Sequence, residues 1–67
     1  MEVRNISIRR KRIEANMTQV ELAKALGVNQ SAVTQWESGL TSPRLDKLQA
    51  MAALFKCTLD ELVREDE

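Results

Sequence analysis

Helix start and stop signals follow one another so closely in this sequence that only short helices fit between them. Two capping boxes, Thr18 to Glu21 and Thr58 to Glu61, place a threonine three residues before a glutamate, which lets side chains satisfy free amides at a helix start. Gly27 and Gly39 suit the left-handed position just after a helix end. No strand pattern competes with these signals, so the sequence predicts an all-α fold.

Three helices are predicted in the first half of the chain. The first runs from about Ile6 to Ala15 and ends at Asn16, because asparagine tolerates a left-handed conformation better than other non-glycine residues. The second occupies about 18–26. Asn29 is a favoured N-cap and starts a third helix that reaches Ser38. Only a tight turn separates the second helix from the third.

Two further helices are predicted after Gly39. Ser42 followed by Pro43 is typical of an N-cap and a first helical turn, so the fourth helix is expected to begin there. The capping box Thr58 to Glu61 opens a short fifth helix. The predicted apolar face of the fourth helix comprises Leu45, Leu48, Met51, Ala52 and Phe55.

The length of the chain predicts one small domain, residues 1–67. A chain of this size hides only about 60% of the surface that its unfolded form exposes, so association with a partner would add stability. The longest apolar run is far below the roughly 18 residues of a membrane span, and no secretory segment follows Met1. We therefore expect a soluble, cytoplasmic protein with no membrane contact.

Histidine is absent and Cys57 is the single cysteine. Zinc sites of the usual kind, an internal disulfide and nucleophilic pairs with histidine are therefore excluded. We expect no enzyme activity, no metal, no cofactor and no small-molecule ligand. Cys57 is expected to be a small, buried apolar residue rather than a redox sensor.

Charge is distributed unevenly although ten basic and ten acidic residues cancel. Residues 1–47 carry eight Lys or Arg against five Asp or Glu, and residues 48–67 carry two against five. One side of the molecule could therefore face a polyanion while the acidic end, 60–67, points away. An ordinary solvated surface with an acidic tail would show the same distribution.

The third helix has one apolar and one polar side. Ala32, Val33 and Trp36 fall on the side expected to face the core. The opposite side, here called the polar arc, consists of Gln30, Ser31, Thr34 and Gln35. Amides and hydroxyls can both donate to and accept from base edges, and a glutamine amide matches adenine. A plain hydrophilic surface is the alternative for an isolated helix, but the preceding helix and tight turn favour DNA reading.

The segment from Thr18 to Gly39 resembles the phage Cro and repressor-type helix-turn-helix family, also called XRE-like. Its TQxxLAxxLGV opening, its WExG close and the following Pro43 stand at that family's spacings, with the motif at about 18–38. The resemblance extends over nearly the whole chain. It implies a compact five-helix, lambda-repressor-like DNA-binding domain.

The resemblance also implies a function and a set of contacts. The chain would bind double-stranded DNA as a small transcriptional regulator, a repressor acting as a homodimer on a partly palindromic operator. A protein-interaction module, antitoxin-like or an adaptor, is the alternative on the same scaffold. Gln19 corresponds to a glutamine that binds a phosphate and buttresses the first recognition residue. The expected DNA contacts are Thr18, Gln19, Asn29, Gln30, Ser31, Thr34, Gln35, Thr41, Ser42, Arg44 and, among the basic residues of the first helix, Arg10.

Two more features follow from the resemblance. Arg12 and Glu37 match an arginine and a glutamate that pair in many such domains, so this pair should orient helices rather than contact DNA. Asn16 and Lys56 stand where many relatives have glycine, which affects stability rather than specificity.

A dimer is expected, because one such module covers only a few base pairs and specific binding normally needs two half-sites. The resemblance implies a contact near the fifth helix, which often supplies it in this family. Leu59 is the preferred contact, since Leu62 has the periodicity of a core residue. The candidate interface residues are Leu59, Leu62, Leu54 and Leu40.

Overall fold

The structure, a computed structural model, describes residues 6–63, and five helices account for most of them. The helices are α1 (Ile6–Glu14), α2 (Gln19–Leu26), α3 (Gln30–Ser38), α4 (Leu45–Phe55) and α5 (Leu59–Val63). No strand occurs within residues 6–63, so the predicted all-α class is confirmed. The acidic residues beyond Val63, on which part of the charge asymmetry rests, lie outside the described residues.

The caps of α2, α3 and α5 are those that the sequence predicts. The Thr18 hydroxyl accepts from the Glu21 amide at 3.1 Å, and the Glu21 carboxylate accepts from the Thr18 amide at 2.8 Å. The Asn29 side chain accepts from the Ala32 amide at 3.1 Å. The box Thr58 to Glu61 repeats the first arrangement. Each of these helices therefore has a locally encoded start.

The predicted start of α4 is wrong by two residues. Ser42 is not its N-cap and Pro43 is not in its first turn; the N-cap is Arg44, with extended backbone and no side-chain hydrogen bond, and the helix begins at Leu45. Pro43 is buried, so packing holds it in the extended segment before the helix. Leu45, predicted on the apolar face, is 61% exposed.

Four residues that follow helices adopt the left-handed conformation. Gly27 and Gly39 do so with φ of 73° and 83°, after α2 and α3. Asn16 and Lys56 do so with φ of 58° and 56°. Both positions lack the glycine that such ends favour, and a non-glycine residue there costs roughly 1–2 kcal/mol.

Replacing Lys56 with glycine is expected to raise the free energy of unfolding by about 0.5–1 kcal/mol, since relief of the left-handed strain outweighs the added freedom of the unfolded chain. Urea denaturation followed by circular dichroism measures the change. Lys56→Ala is the matched control, because it removes the same side chain but keeps a Cβ. Equal stabilisation by both variants would contradict this explanation.

The core lies between the helices and is filled by their apolar faces. Ile8, Leu22, Val33, Met51 and Leu62 are at most 1% exposed. Ala23, Leu26 and Trp36 complete this buried cluster. Leu62 is thus a core residue, as its periodicity predicts. None of the helices within residues 6–63 has the length and hydropathy needed to span a bilayer.

Candidate nucleic-acid interface

The orientation of α3 follows from its buried side. Val33 is fully buried and Trp36 is 6% exposed, so both anchor the helix to the core. The polar arc lies opposite. Its members Gln30, Ser31 and Thr34 are exposed, whereas Gln35 is half-buried. The α3 surface that is available to a partner is therefore uncharged and made of hydrogen-bonding groups.

Gln19, at the start of α2, is hydrogen-bonded to two members of the polar arc. Its side-chain carbonyl oxygen accepts from Gln30 Nε2 at 3.3 Å and from the Thr34 hydroxyl at 3.0 Å. Three polar side chains from two helices thus form one connected surface. The contact between Gln19 and Gln30 is the one that the family resemblance implies, whereas the contact with Thr34 requires the three-dimensional structure.

An ion pair behind this surface holds Gln19 in place. Arg12 Nε donates to Glu37 Oε2 at 2.6 Å, and Arg12 Nη2 donates to Glu37 Oε1 at 3.1 Å. The two side chains are 12% and 6% exposed. Glu37 Oε1 also accepts from Gln19 Nε2 at 3.0 Å. The network therefore links α1, α2 and α3 to the polar arc.

The Arg12 side chain forms its hydrogen bonds within the protein. Besides its two bonds to Glu37, it donates through Nη1 to the Met17 carbonyl at 2.8 Å. All three guanidinium nitrogens therefore donate hydrogen bonds, and the bond to Met17 fixes the turn between α1 and α2. The hydrogen-bonding groups of Arg12 are therefore directed to partners within the protein.

The remaining six predicted contacts lie on α1 and at the edges of α2, α3 and α4. Thr18 and Asn29 are exposed, and each already accepts a cap hydrogen bond. The segment between α3 and α4 exposes three more, Thr41, Ser42 and Arg44. Arg10 is exposed on α1 and lines a surface pocket with Arg9, Ile13 and Glu14.

Lys47 is a positioning residue that sequence reasoning missed. Its ammonium group donates to the Leu26 carbonyl at 3.0 Å, at the C-terminal end of α2. This bond satisfies a free helix carbonyl and ties α4 to the turn before α3. A basic residue in the first turn of a helix carries no signal for such a distant partner.

The leucines expected at a dimer contact differ in exposure. Leu40 is 73% exposed and Leu54 is 40% exposed, whereas Leu59 is half-buried. Leu40 and Leu54 are therefore the accessible members of the set.

Cys57 packs at the edge of the core and is half-buried. Burial raises the pKa of its thiol, a shift that Lys11 opposes and Glu61 reinforces. A thiol of this kind is a poor nucleophile at neutral pH, which fits the expected packing role. Within residues 6–63 no cluster of Cys, Asp and Glu could hold a metal ion.

The sequence matches known regulators of transcription. The helix-turn-helix family matches residues 8–62. The transcriptional activator BcrR of Enterococcus faecalis is 35% identical over 63 residues, which is 94% of this chain and 31% of that protein. The repressor protein C2 of Salmonella phage P22 is 34% identical over 59 residues, 88% of this chain and 27% of that protein. The chain thus spans under a third of the length of these two relatives.

Solved structures agree with the sequence matches. A crystal structure of the P22 c2 repressor in complex with a synthetic operator superimposes with a TM-score of 0.86 and 30% identity, covering 98% of this chain and 100% of that one. The solution structure of the P22 c2 DNA-binding domain superimposes with a TM-score of 0.80, covering 96% and 87% of the two chains. Both similarities include all the elements that carry the polar arc.

Proposed function

This chain belongs to the helix-turn-helix family, of the XRE type, and from that premise we propose that it binds double-stranded DNA in a sequence-specific manner as a transcriptional repressor. The observation that carries the proposal is the polar arc, which α3 holds outward through buried Val33 and Trp36. Amide and hydroxyl groups on an outward α3 can contact base edges in the major groove. The P22 c2 repressor, whose structure this chain resembles, is itself solved on an operator.

Phosphate contacts would come from the rim of this surface. Arg44 and Arg10 are exposed and supply positive charge, while Thr41 and Ser42 supply hydroxyls. Gln19 lies at the N-terminus of α2, where free backbone amides favour an anion. In this arrangement α2 crosses the DNA backbone while α3 enters the groove. Phosphate contacts fix the register, and the polar arc supplies the specificity.

We further propose that two copies bind a partly palindromic operator. A single α3 reaches only a few base pairs, and two half-sites about 34 Å apart match one turn of DNA. The exposed Leu40 and Leu54 and the half-buried Leu59 are the proposed contact residues. Repression, rather than the activation named for BcrR, follows the P22 repressor and is tested by a reporter gene placed under a selected operator.

Selection from a random duplex library, followed by footprinting, tests the proposal. A sequence-specific dimer selects one half-site motif, present twice in inverted orientation at a spacing of about one helical turn. A single unrepeated motif would contradict the dimer but not DNA binding. Failure to enrich any sequence would contradict DNA recognition and favour a protein-interaction module.

Replacing Gln30 with alanine is expected to relax preference at one base position by about 1–3 kcal/mol, because a bidentate amide contact is lost. Stability should hardly change, since Gln30 is exposed. The base profile of the selected sites measures the effect. Gln49→Ala, which removes an exposed glutamine on α4, is the matched control and should leave the profile unchanged. An unchanged profile for Gln30→Ala would contradict its assignment.

A further inference from the structure

We propose that Glu37 is a positioning residue for base specificity, which acts through Gln19 and makes Thr34 select against guanine. The inference rests on the proposed function and assigns a hydrogen-bonding direction to each group of the polar arc that Gln19 contacts. Glu37 itself lies behind the surface, with a side chain that is 6% exposed.

The first step concerns the orientation of the Gln19 amide. A carboxylate can only accept hydrogen bonds, and both Glu37 oxygens accept from the Arg12 guanidinium. The Gln19 group that lies 3.0 Å from Glu37 Oε1 must therefore be the NH2. The amide carbonyl consequently faces α3. A neutral side chain at position 37 could accept or donate and would leave the Gln19 amide free to turn over.

The second step concerns the protons on α3. Thr34 has one hydroxyl proton, and it is donated to Gln19 Oε1 at 3.0 Å. Only the lone pairs and the methyl group of Thr34 then remain for a partner. Gln30 gives one of its two Nε2 protons to the same oxygen and keeps one donor and its carbonyl. Thus Gln30 retains the donor and acceptor that adenine requires, whereas Thr34 cannot donate.

The third step concerns the bases. In the major groove guanine presents only acceptors, N7 and O6, whereas adenine and cytosine present an amino group and thymine a methyl group. A Thr34 side chain without a free proton can accept from an amino group or contact a methyl group, but it cannot satisfy guanine. Guanine is therefore disfavoured at the base position that Thr34 faces. Glu37 causes this preference because it orients the Gln19 amide that takes the Thr34 proton.

Base profiles from the random duplex library test this chain of contacts. Thr34→Val keeps the shape but removes the hydroxyl, so the position whose profile it alters is the base that Thr34 faces. At that position the wild-type protein should exclude guanine. Glu37→Gln should raise the relative affinity for guanine by about fivefold, the typical net effect of one hydrogen bond. A purely structural role for Glu37 would weaken all duplexes equally and leave the profile unchanged.

Further variants test whether Glu37 acts through Gln19 rather than through the stability of the fold. Gln19→Met leaves the ion pair intact and frees the Thr34 proton, so it should admit guanine to a similar extent. Adding Glu37→Gln to Gln19→Met should then change the profile no further. If circular dichroism shows that Glu37→Gln alone is unfolded, the double variant Arg12→Gln, Glu37→Gln replaces it, because it leaves no buried charge unpaired.

The outcomes distinguish this inference from the proposed function. A wild-type protein that enriches no sequence contradicts DNA recognition itself. A wild-type protein that enriches an operator but accepts guanine opposite Thr34 overturns only the present inference. The same holds if a folded Glu37 variant keeps the wild-type profile while Gln19→Met alters it, because Gln19 would then be oriented without Glu37.

Discussion

Replacing Arg12 with methionine is expected to lower the free energy of unfolding by about 3–5 kcal/mol, because the Glu37 carboxylate is left buried without its partner. The Met17 carbonyl loses its donor at the same time. A domain of this size has a total stability of roughly 3–10 kcal/mol, at about 0.05–0.15 kcal/mol per residue. The variant should therefore lose a large fraction of its stability, which appears as lower midpoints in urea and thermal denaturation.

The double variant Arg12→Met, Glu37→Met is the control for this prediction. Replacing both members of a buried ion pair with apolar residues is often neutral or stabilising, so the double variant should recover most of the lost stability. Gln19 would lose one acceptor, but it lies at the surface edge and is half-buried. If the single variant is as stable as the wild type, the pair is not the connection between helices that the geometry indicates.

Much of the fold is predictable because its signals are local. The cap of α2 depends on Thr18 and Glu21, which are three residues apart, and the cap of α3 on Asn29 and a neighbouring amide. Left-handed ends at Gly27 and Gly39 depend on single residues. Such features need no knowledge of the rest of the chain, so the structure reproduces them.

The start of α4 is not predictable in this way because tertiary packing decides it. Ser42 and Pro43 satisfy the local pattern of a helix start, yet burial of Pro43 delays the helix to Leu45. Lys47 reaches back to α2 at the same place. Local preference was sufficient to predict that a helix follows, but not where it begins.

The candidate site likewise has features that the sequence predicts and features that depend on tertiary packing. Periodicity on α3 was enough to separate the polar arc from Val33 and Trp36, since both sides lie on one helix. The bond between Thr34 and Gln19 spans 15 residues, and that between Gln19 and Glu37 spans 18. Contacts between residues so far apart in the sequence depend on how α2 and α3 pack. The direction of each hydrogen bond is therefore known only from the folded structure.

Raising the salt concentration is expected to weaken operator binding on the order of 10²-fold between about 50 and 200 mM, with a log-log slope of about −3.6. This value assumes a dimer in which Arg10 and Arg44 of each copy neutralise one phosphate apiece. Both residues are exposed, and Arg12 is excluded because the protein itself engages it. Fluorescence anisotropy with a selected operator duplex measures the slope.

Arg44→Gln tests whether the positive charge of Arg44, beside α3, contacts a DNA phosphate as we propose. Removing one phosphate contact from each copy should make the slope shallower by about 1.8 and weaken binding to all duplexes alike, because phosphates carry no sequence information. Lys56→Gln is the matched control, since it removes an exposed charge at the far end of α4 and keeps a non-glycine residue there. Equal effects of the two variants would mean that overall charge, rather than the rim beside α3, governs DNA affinity.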